Sequence, residues 1–327
     1  MNPPVWRDDH IYAAPDDPAI DAAFQQAAHA LNELDALLAT LPDTQGPNAL
    51  RHLLRAIRRE ANGVKTLAWN SQVYGYNRLS QNGRDEEARV LLSRGQQLEA
   101  TLAQRSKPVD LFWVRAPKSL VRTLLQDPEL FELAYHIHHD RAQQDQWLSL
   151  ESEQLIEGLA VDGLQGWGDL YDNLVGRLLP VVEGVPMGLA QADNLLAHPD
   201  RARRASAWHA IQGAWEAEQE TVAAILNAIN GWRNELGRQR GKGRRLDALE
   251  VTCHQEHITG ATLETLMAAA GEHRELGRRA LRAMACAQQI TDFAPWDLFA
   301  PAPQAVHGKF GFEQALNLVM EAFAAFD

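Results

Sequence analysis

The stretch from Asp200 to Leu236 constrains the fold more than any other part of the chain. Its apolar residues recur at alternating spacings of three and four, and Glu218 alone interrupts the series. The series is Trp208, Ile211, Trp215, Val222, Ile225, Ile229, Trp232 and Leu236. Side chains at these spacings share one face of an α-helix, whereas a strand would need a period of two. The pattern predicts one helix of roughly 50 Å, against which other elements must pack to cover the indoles.

The remaining apolar series are also helical, so we predict an all-α fold built as a helical array. Asn48 is the expected N-cap of the second helix, and Asp127 is the expected N-cap before Pro128. The predicted helices are Ile20–Leu41, a helix from Asn48 onward, Glu86–Ala103, Lys118–Gln126, Asp127–Asp140, Ser152–Leu159, Asp169–Leu179, Gln191–Leu196, Asp200–Leu236, Thr262–Gln289 and Phe312–Phe326. We expect irregular structure at Met1–Pro18, Lys107–Ser119, the glycine-rich 163–168, Val181–Met187 and Asp247–Ile258.

The charge and composition exclude several classes of protein. The chain has 31 basic and 43 acidic residues and a net charge of −12, which opposes nucleic-acid binding. No apolar run is long enough to span a bilayer, and the polar start does not resemble a signal peptide. Cys253 and Cys286 lack metal-binding spacing, and two isolated cysteines are typical of a reducing compartment. We therefore expect a cytoplasmic protein with neither nucleic-acid nor membrane partners.

No complete catalytic motif is present in the sequence. GRQRGKG lacks the spacing of a phosphate loop, and neither GxGxxG after a strand nor GxSxG occurs. A zinc peptidase helix needs HExxH, which places two histidines one turn apart and a glutamate beside the metal-bound water. None of the twelve histidines is followed by glutamate.

Four weaker clusters each have a functional and a structural interpretation. His136, His139 and Asp140, next to His138, would share a helix face and could hold a metal, but a polar helix end is the favoured interpretation. His254 and His257 are three residues apart within loop signals, which favours exposed polar residues over a metal site. The basic run 237–245 could bind an anion, but it is typical of a solvated helix end. The glutamates at 216, 218 and 220 are expected to solvate their helix.

Several stretches resemble, in order, the oligoendopeptidase F family of zinc metallopeptidases, which is related to thimet oligopeptidase. They are VWRDDHIYAAPDDPAI, WLSLESEQLIEGLAVDGLQGWGDLYDNL, AHPDRARRASAWHAIQGAWEAEQETVAAILNAINGWRNELGRQRG, RLDALEVTCHQEHITGATLETLMAAAGEH, DFAPWDLFAPAP and FGFEQALNLVMEAF. The resemblance implies a bilobed helical fold around a deep channel, with one zinc ion that cuts short peptides. It also implies an N-terminal helical lobe at 1–190 and the first helices of the peptidase domain at 191–327.

The resemblance assigns no site residues to this chain. In the family, HExxH and a further glutamate ligand follow the helix that corresponds to FGFEQALNLVMEAF, where these 327 residues end. We therefore expect no catalytic or metal-ligating residue here, no zinc bound by this chain alone, and no identifiable peptide contacts.

Two hypotheses of different class follow from this departure. In the first, the chain is the N-terminal portion of a zinc oligoendopeptidase, inactive alone, whose partners are short peptides and a separate or missing C-terminal catalytic half. In the second, it is a complete non-catalytic helical protein that binds peptides or acts as a scaffold. The first also predicts an exposed apolar stripe on the last helix, formed by Phe312, Leu316, Val319, Phe323 and Phe326.

Overall fold

The computed structural model describes residues 7–83, 85–303 and 310–326, and these are almost entirely helical. The helices are α1 (Pro18–Thr40), α2 (Pro47–Gln81), α3 (Glu86–Arg115), α4 (Lys118–Leu124), α5 (Pro128–Phe131), α6 (Ala134–Ala142), α7 (Leu150–Ala160), α8 (Gly166–Val175), α9 (Leu189–Asn194), α10 (Arg201–Ala217), α11 (Gln219–Arg240), α12 (Ala248–Gln255), α13 (Gly260–Glu272), α14 (Arg274–Ala287) and α15 (Phe312–Ala324). The all-α prediction is confirmed. Of the predicted irregular lead, residues 1–6 lie outside the described residues, as does Asp327 at the other end.

A two-stranded hairpin interrupts the helices where the sequence predicted an extended segment. Strands β1 (Val181–Val182) and β2 (Val185–Pro186) pair antiparallel. Glu183 and Gly184 form the turn between them with φ values of 52° and 82°. Positive φ at both central residues is the geometry that matches the twist of a two-residue hairpin.

The Asp200–Leu236 stretch forms two helices rather than the single helix predicted. α10 and α11 are separated at Glu218, whose φ and ψ are −105° and 9° and whose N–H bonds to Trp215 O, three residues back. Glu218 is the residue that interrupts the apolar series. The predicted apolar face is nevertheless confirmed, because all eight residues of the series are buried or half-buried. The period therefore records burial correctly, and the interruption coincides with the break.

Two compact units divide the chain by their internal packing. One contains Asn173–Val222 and Ala248–Asp327, within the described residues, and the other contains Asp8–Asp172 with Ala223–Asp247. α10 therefore belongs to the first of these and most of α11 to the second. The functional division of 1–190 from 191–327 stays a prediction.

The unit that contains Asp8–Asp172 is built on the packing of α1, α2 and α3. Their apolar faces form a core around Leu34, Ile57, Val64 and Leu102. A second core lies where α4, α5 and α6 pack on the end of α3, around Trp113, Leu124, Leu130 and Ile137. Asp127 caps α5 as predicted, since its carboxylate accepts the N–H groups of residues 129 and 130.

The loop predicted at Lys107–Ser119 is wrong, because α3 continues through Pro108 to Arg115. A proline inside a helix leaves the carbonyl four residues earlier without its N–H donor, here that of Gln104. The side-chain amide of Gln154 on α7 donates to this carbonyl at 3.4 Å, and the Gln104 amide donates to Gln154 O at 3.1 Å. A tertiary contact thus replaces the missing helical hydrogen bond, and no local sequence pattern records it.

Four further local predictions are corrected. The glycine-rich 163–168 is helical, because a π-helical turn (Val161–Gln165) runs directly into α8. The connection at Asp247–Ile258 contains α12, and the predicted Thr262–Gln289 helix is divided at His273. Gly46 rather than Asn48 precedes the first turn of α2, and the Asn48 side chain instead accepts from Arg51 at 3.1 Å.

The unit that contains α10 carries a buried ion cluster. Arg204 and Asp297 are 1% and 0% exposed, and Arg204 Nη2 lies 3.0 Å from Asp297 Oδ1. Arg201 Nε donates to the same oxygen at 3.0 Å, and the Ala294 N–H donates to Oδ2 at 3.0 Å. Arg204 Nε also donates to Trp296 O. The cluster joins DRARRASAW to DFAPWD, which are two of the stretches that carry the resemblance.

The helices toward the C-terminus bury little of their surface. No residue of α13, α14 or α15 is fully buried. The predicted stripe is exposed, from 40% at Phe312 to 89% at Phe326. This confirms the expectation of an uncovered apolar stripe. Within the ranges described, no helix combines the length and the apolar character needed to cross a membrane.

Candidate functional site

Helix α6 positions polar side chains on two of its faces, and both faces meet other helices of the same unit. Leu133 and Ile137 hold the helix in the core with Trp113. His136 and Asp140, one turn apart, lie on the side where α6 approaches α3. His138 and Arg141 lie on another side, facing α4 across a groove. The helix therefore separates two clusters of charged groups, which we call the α3–α6–α7 junction and the α4–α6 groove.

The α3–α6–α7 junction gathers a lysine and several carboxylates around one side chain. Lys107 Nζ, on α3, lies 2.7 Å from Glu157 Oε1 on α7 and 3.7 Å from Asp110 Oδ2. It also lies 5.7 Å from the centre of the Trp147 ring. The Lys107 side chain is only 12% exposed, so its ammonium is held by these partners rather than by bulk water. The arrangement fixes one cation among several acids.

Asp110 is the titratable group most affected by the junction. Burial raises the pKa of its carboxyl to about 6, Lys107 opposes the rise, and the negative charges of Asp140 and Glu157 add to it. The carboxyl therefore gains or loses its proton at about pH 6. Carboxyls with such a pKa occur in active sites, but they also occur in structural ion networks. Neither a nucleophile nor an oxyanion donor lies beside Asp110 in the contacts described. The geometry therefore supports only the binding and release of a proton by Asp110.

The α4–α6 groove has a volume of about 560 Å³ and is lined by cationic and apolar side chains. Its basic groups are Lys118 and Arg122 from α4 with His138 and Arg141 from α6, and no carboxylate lines it. Arg141 is anchored, because its guanidinium donates to the main-chain oxygens of residues 113 and 114. The groove is thus a local concentration of positive charge on a chain whose net charge is −12.

The other basic side chains of the groove have no counter-ion in the described structure. Lys118, Arg122 and His138 are exposed. Across residues 7–83, 85–303 and 310–326, none of the three makes a hydrogen bond or an ion pair. Other arginines of the same unit are paired, for example Arg58 with Glu132 and Arg105 with Asp35. The groove therefore brings together three basic side chains that no acidic group of the described residues neutralises.

The histidine clusters weighed from the sequence do not form a metal site. His136 Nε2 lies 3.5 Å from Asp140 Oδ2, whereas the His139 ring stacks on Tyr135 at 6.0 Å. His254 lies in the last turn of α12, and His257 follows the helix in a left-handed conformation (φ 56°), so the two do not share a helix face. Among the described residues, no group of three His, Cys, Asp or Glu side chains could hold a metal ion. These residues do not fit the zinc that the resemblance implies.

The basic run 237–245, which begins in the last turn of α11, is partly internal. Arg240 Nη2 lies 2.9 Å from Glu153 Oε2, and the Leu148 N–H donates to Glu153 Oε1 at 2.9 Å. Glu153 is 0% exposed, so this pair connects α7 to the end of α11. Arg238 pairs with Glu235 in the last turn of α11. These contacts give part of the run a structural role. Glu216 and Glu220 are exposed and Glu218 is half-buried.

Apart from the histidines and Asp140, the sequence does not identify the residues that converge in the junction or the groove as candidate site residues. Lys107 and Asp110 lie in a segment that the sequence predicts to be a loop, because it contains Pro108 and Pro117. Lys118 and Arg122 are spaced four apart on one helix, which is a signal for a shared basic face. That signal does not say which helix lies opposite, so the groove required the packing of α4 against α6.

Comparisons with known proteins place the fold. Residues 113–178, which span α4 to α8, match the family model described as Oligopeptidase F. The structure of oligoendopeptidase-F from Enterococcus faecium superposes with a TM-score of 0.73 at 17% identity, covering 92% of this chain and 58% of that one. A candidate peptidase from Chlamydophila abortus gives 0.60 at 16% identity, with 97% and 52% covered. No curated protein matches the chain in sequence.

The chain therefore spans a little over half the length of the solved structures it matches. The resemblance to the oligoendopeptidase F family is confirmed, by the family model within 113–178 and by the fold over most of the chain.

Proposed function

We propose that this chain provides the N-terminal part of a zinc-dependent oligoendopeptidase that hydrolyses short peptides. The observation that carries the proposal is the fold likeness to oligoendopeptidase-F over 92% of the chain, together with the family match at 113–178. The free cysteines, Cys253 and Cys286, agree with a reducing compartment, and we place the protein in the cytoplasm.

In this proposal the catalytic metal site is formed by polypeptide outside the 327 residues. Peptide hydrolysis of this type needs a metal that acts as Lewis acid and a base beside its bound water. The sequence contains no HExxH, and the histidine clusters do not converge on a metal position. The part of oligoendopeptidase-F that this chain does not cover is the natural counterpart of the missing portion. The 327-residue chain alone is then inactive.

The test compares the chain alone with the chain supplemented by a catalytic portion. An internally quenched short peptide is incubated with the purified chain and zinc, and no cleavage is expected. The DNA after the Asp327 codon is read for a frame that encodes HExxH, and that polypeptide is co-expressed with the chain. Chelator-sensitive cleavage by the pair is the expected result. Zinc-dependent cleavage by the chain alone would overturn the predicted inactivity, and an inactive pair would overturn the peptidase proposal.

A second candidate function is favoured by the unpaired cations of the α4–α6 groove. A non-catalytic helical protein could bind peptides there or act as a scaffold. This alternative predicts a monodisperse chain that binds peptides without hydrolysing them, and it predicts no HExxH frame downstream. Aggregation of the purified chain would argue against it.

A further inference from the structure

The α4–α6 groove has the chemistry of a binding site for a ligand that is both anionic and apolar. We propose that it binds a short acidic peptide, whose carboxylates pair with Lys118, Arg122 and Arg141 while an apolar side chain rests on Phe131. The inference takes its ligand class, peptides, from the proposed function. It concerns binding in one helical unit and does not depend on catalysis.

The positive charge of the groove is complementary to an acidic peptide. Four basic side chains from two helices surround the groove, and no carboxylate lines it. Elsewhere on this unit several arginines of α2 and α3 have acidic partners, as Arg55, Arg94 and Arg105 do. An acidic chain that leaves Lys118 and Arg122 unpaired side by side maintains a local positive potential. Such a potential attracts a carboxylate-bearing ligand and repels a cationic one.

The Arg141 side chain is already held in place before any ligand binds. Its Nη1 donates to the main-chain oxygens of residues 113 and 114, which fixes the guanidinium at the end of α3. A guanidinium has five N–H donors, so several remain for a ligand after these two bonds. Because the side chain is already ordered, less rotamer entropy is lost when a carboxylate binds. Arg141 is therefore the expected anchor, and the exposed Lys118 and Arg122 are expected to close on the ligand.

The groove also has an apolar lining, with which a simple inorganic anion would make no favourable contact. Val121 and Leu125 are buried beneath the groove, and Phe131 beside it is 65% exposed. An exposed aromatic ring next to cations suits a peptide with alternating apolar and acidic side chains. A nucleic acid would extend beyond the groove onto a chain of net charge −12, which opposes it.

The experiment measures binding by fluorescence anisotropy of a labelled short peptide that contains Asp, Glu and Leu and a free C-terminus. The comparison peptide carries Asn and Gln at the acidic positions and a C-terminal amide. We expect the acidic peptide to bind at least about tenfold more tightly, with affinity falling as salt is raised. Equal binding of the two peptides, or binding of neither, would overturn the proposal.

A matched pair of variants separates the groove from the general charge of the chain. Lys118→Glu/Arg122→Glu reverses two groove charges, and Lys65→Glu/Arg59→Glu makes the same net change on exposed positions of α2. The groove variant should lose at least about tenfold in affinity for the acidic peptide, while the α2 variant keeps it within about twofold. Equal losses would show general electrostatics and overturn the site. Circular dichroism checks that both variants fold.

Inorganic phosphate provides the last arm of the test. Phosphate shares the negative charge but not the apolar part of the peptide, so it should displace the peptide only weakly. Displacement at concentrations similar to those of the unlabelled peptide would show a simple anion site and contradict the proposal. None of these measurements involves hydrolysis, so their failure leaves the peptidase test unaffected, and the reverse also holds.

Discussion

Two aspartates show how neighbouring groups set the charge of a carboxyl in this protein. Burial raises the pKa of both. At Asp297 the hydrogen bonds from Arg201, Ala294 N–H and Arg204 exceed that effect and hold the pKa at about 2. At Asp110 a single lysine is shared with Glu157, and the pKa rises to about 6. The number of donors available to each carboxyl, rather than burial alone, therefore decides whether its pKa falls or rises.

Replacing Asp297 by asparagine should destabilise the unit that contains α10 by about 3–5 kcal/mol, because Arg204 would be left buried without its counter-ion. The free energy of unfolding is measured by urea denaturation. Asp292→Asn is the control, since Asp292 is exposed and its carboxylate lies 3.4 Å from Arg201; its loss should cost less than about 1 kcal/mol. Similar losses in the two variants would contradict a special role for Asp297. Since the pKa of Asp297 is depressed, its contribution is present above pH 4 and is lost as pH falls through about 2.

Asp110→Asn tests a carboxyl whose pKa is raised by folding, so its contribution to stability should change with pH in the opposite direction from that of Asp297. Because folding raises the pKa from 3.8 to about 6, the contribution of Asp110 to stability is complete below pH 4 and is lost as pH rises through 6. Asparagine stays neutral, so the variant should be more stable than the parent at pH 8 and equal to it at pH 4. The Asp110 side chain is 39% exposed, so solvent screens its charge. We therefore expect a gain in the free energy of unfolding of only about 1 kcal/mol. The measurement is urea denaturation across this range, and a gain independent of pH would refute the assignment.

At the scale of elements, the packing of Trp232 on the π-helical turn explains one glycine of the glycine-rich 163–168, Gly163. A Cβ added at Gly163 would lie 2.6 Å from Trp232 Cζ3, so only glycine lets α11 approach this closely. Gly168, in α8, has open space at the same atom. The two glycines look alike in the sequence, yet one is required by packing and the other is not.

Gly163→Ala should therefore destabilise the protein by about 1–3 kcal/mol, through displacement of the indole. Gly168→Ala should stabilise it by about 0.5–1 kcal/mol, because alanine has the higher helix propensity and meets no neighbour. Thermal unfolding monitored by tryptophan fluorescence measures both variants. Effects of the same sign would show that Trp232 does not constrain Gly163.

The apolar periods predicted the helices well, because they record which faces are buried. They placed α1, the start of α2 and the apolar faces of α10 and of α11. They failed where a distant contact replaced a local rule: at Pro108, whose freed carbonyl is bonded by Gln154, and at the glycines beside Trp232. The junction and the groove depend on the same kind of contact. Lys107 and Glu157 are fifty residues apart, so their meeting is a property of the packing and not of either segment.

At the scale of the whole molecule, the net charge of −12 opposes association, whereas the exposed stripe on α15 favours it. Leu316, Val319 and Phe323 present apolar area in one row, at 46%, 51% and 72% exposure. A contiguous exposed apolar patch promotes contact between molecules or with another polypeptide.

We expect the purified chain to self-associate through this stripe. Leu316→Glu/Phe323→Glu should shift sedimentation velocity profiles toward the monomer. Asn317→Glu/Ala324→Glu adds the same charge on other faces of α15 and should have little effect. A parent chain that is monomeric at every concentration would contradict the prediction, as would equal shifts in both variants.

The ion pair of Glu153 with Arg240 also has a consequence for the order in which the protein acquires its structure during translation. The two residues are separated by 87 positions, and α7 packs against α3 long before α11 has been made. At typical synthesis rates the ribosome needs roughly 4–17 s to cover that distance. During this interval the Glu153 carboxylate lacks its guanidinium partner. The unit around α1, α2 and α3 can be completed only when Arg240 has left the ribosome.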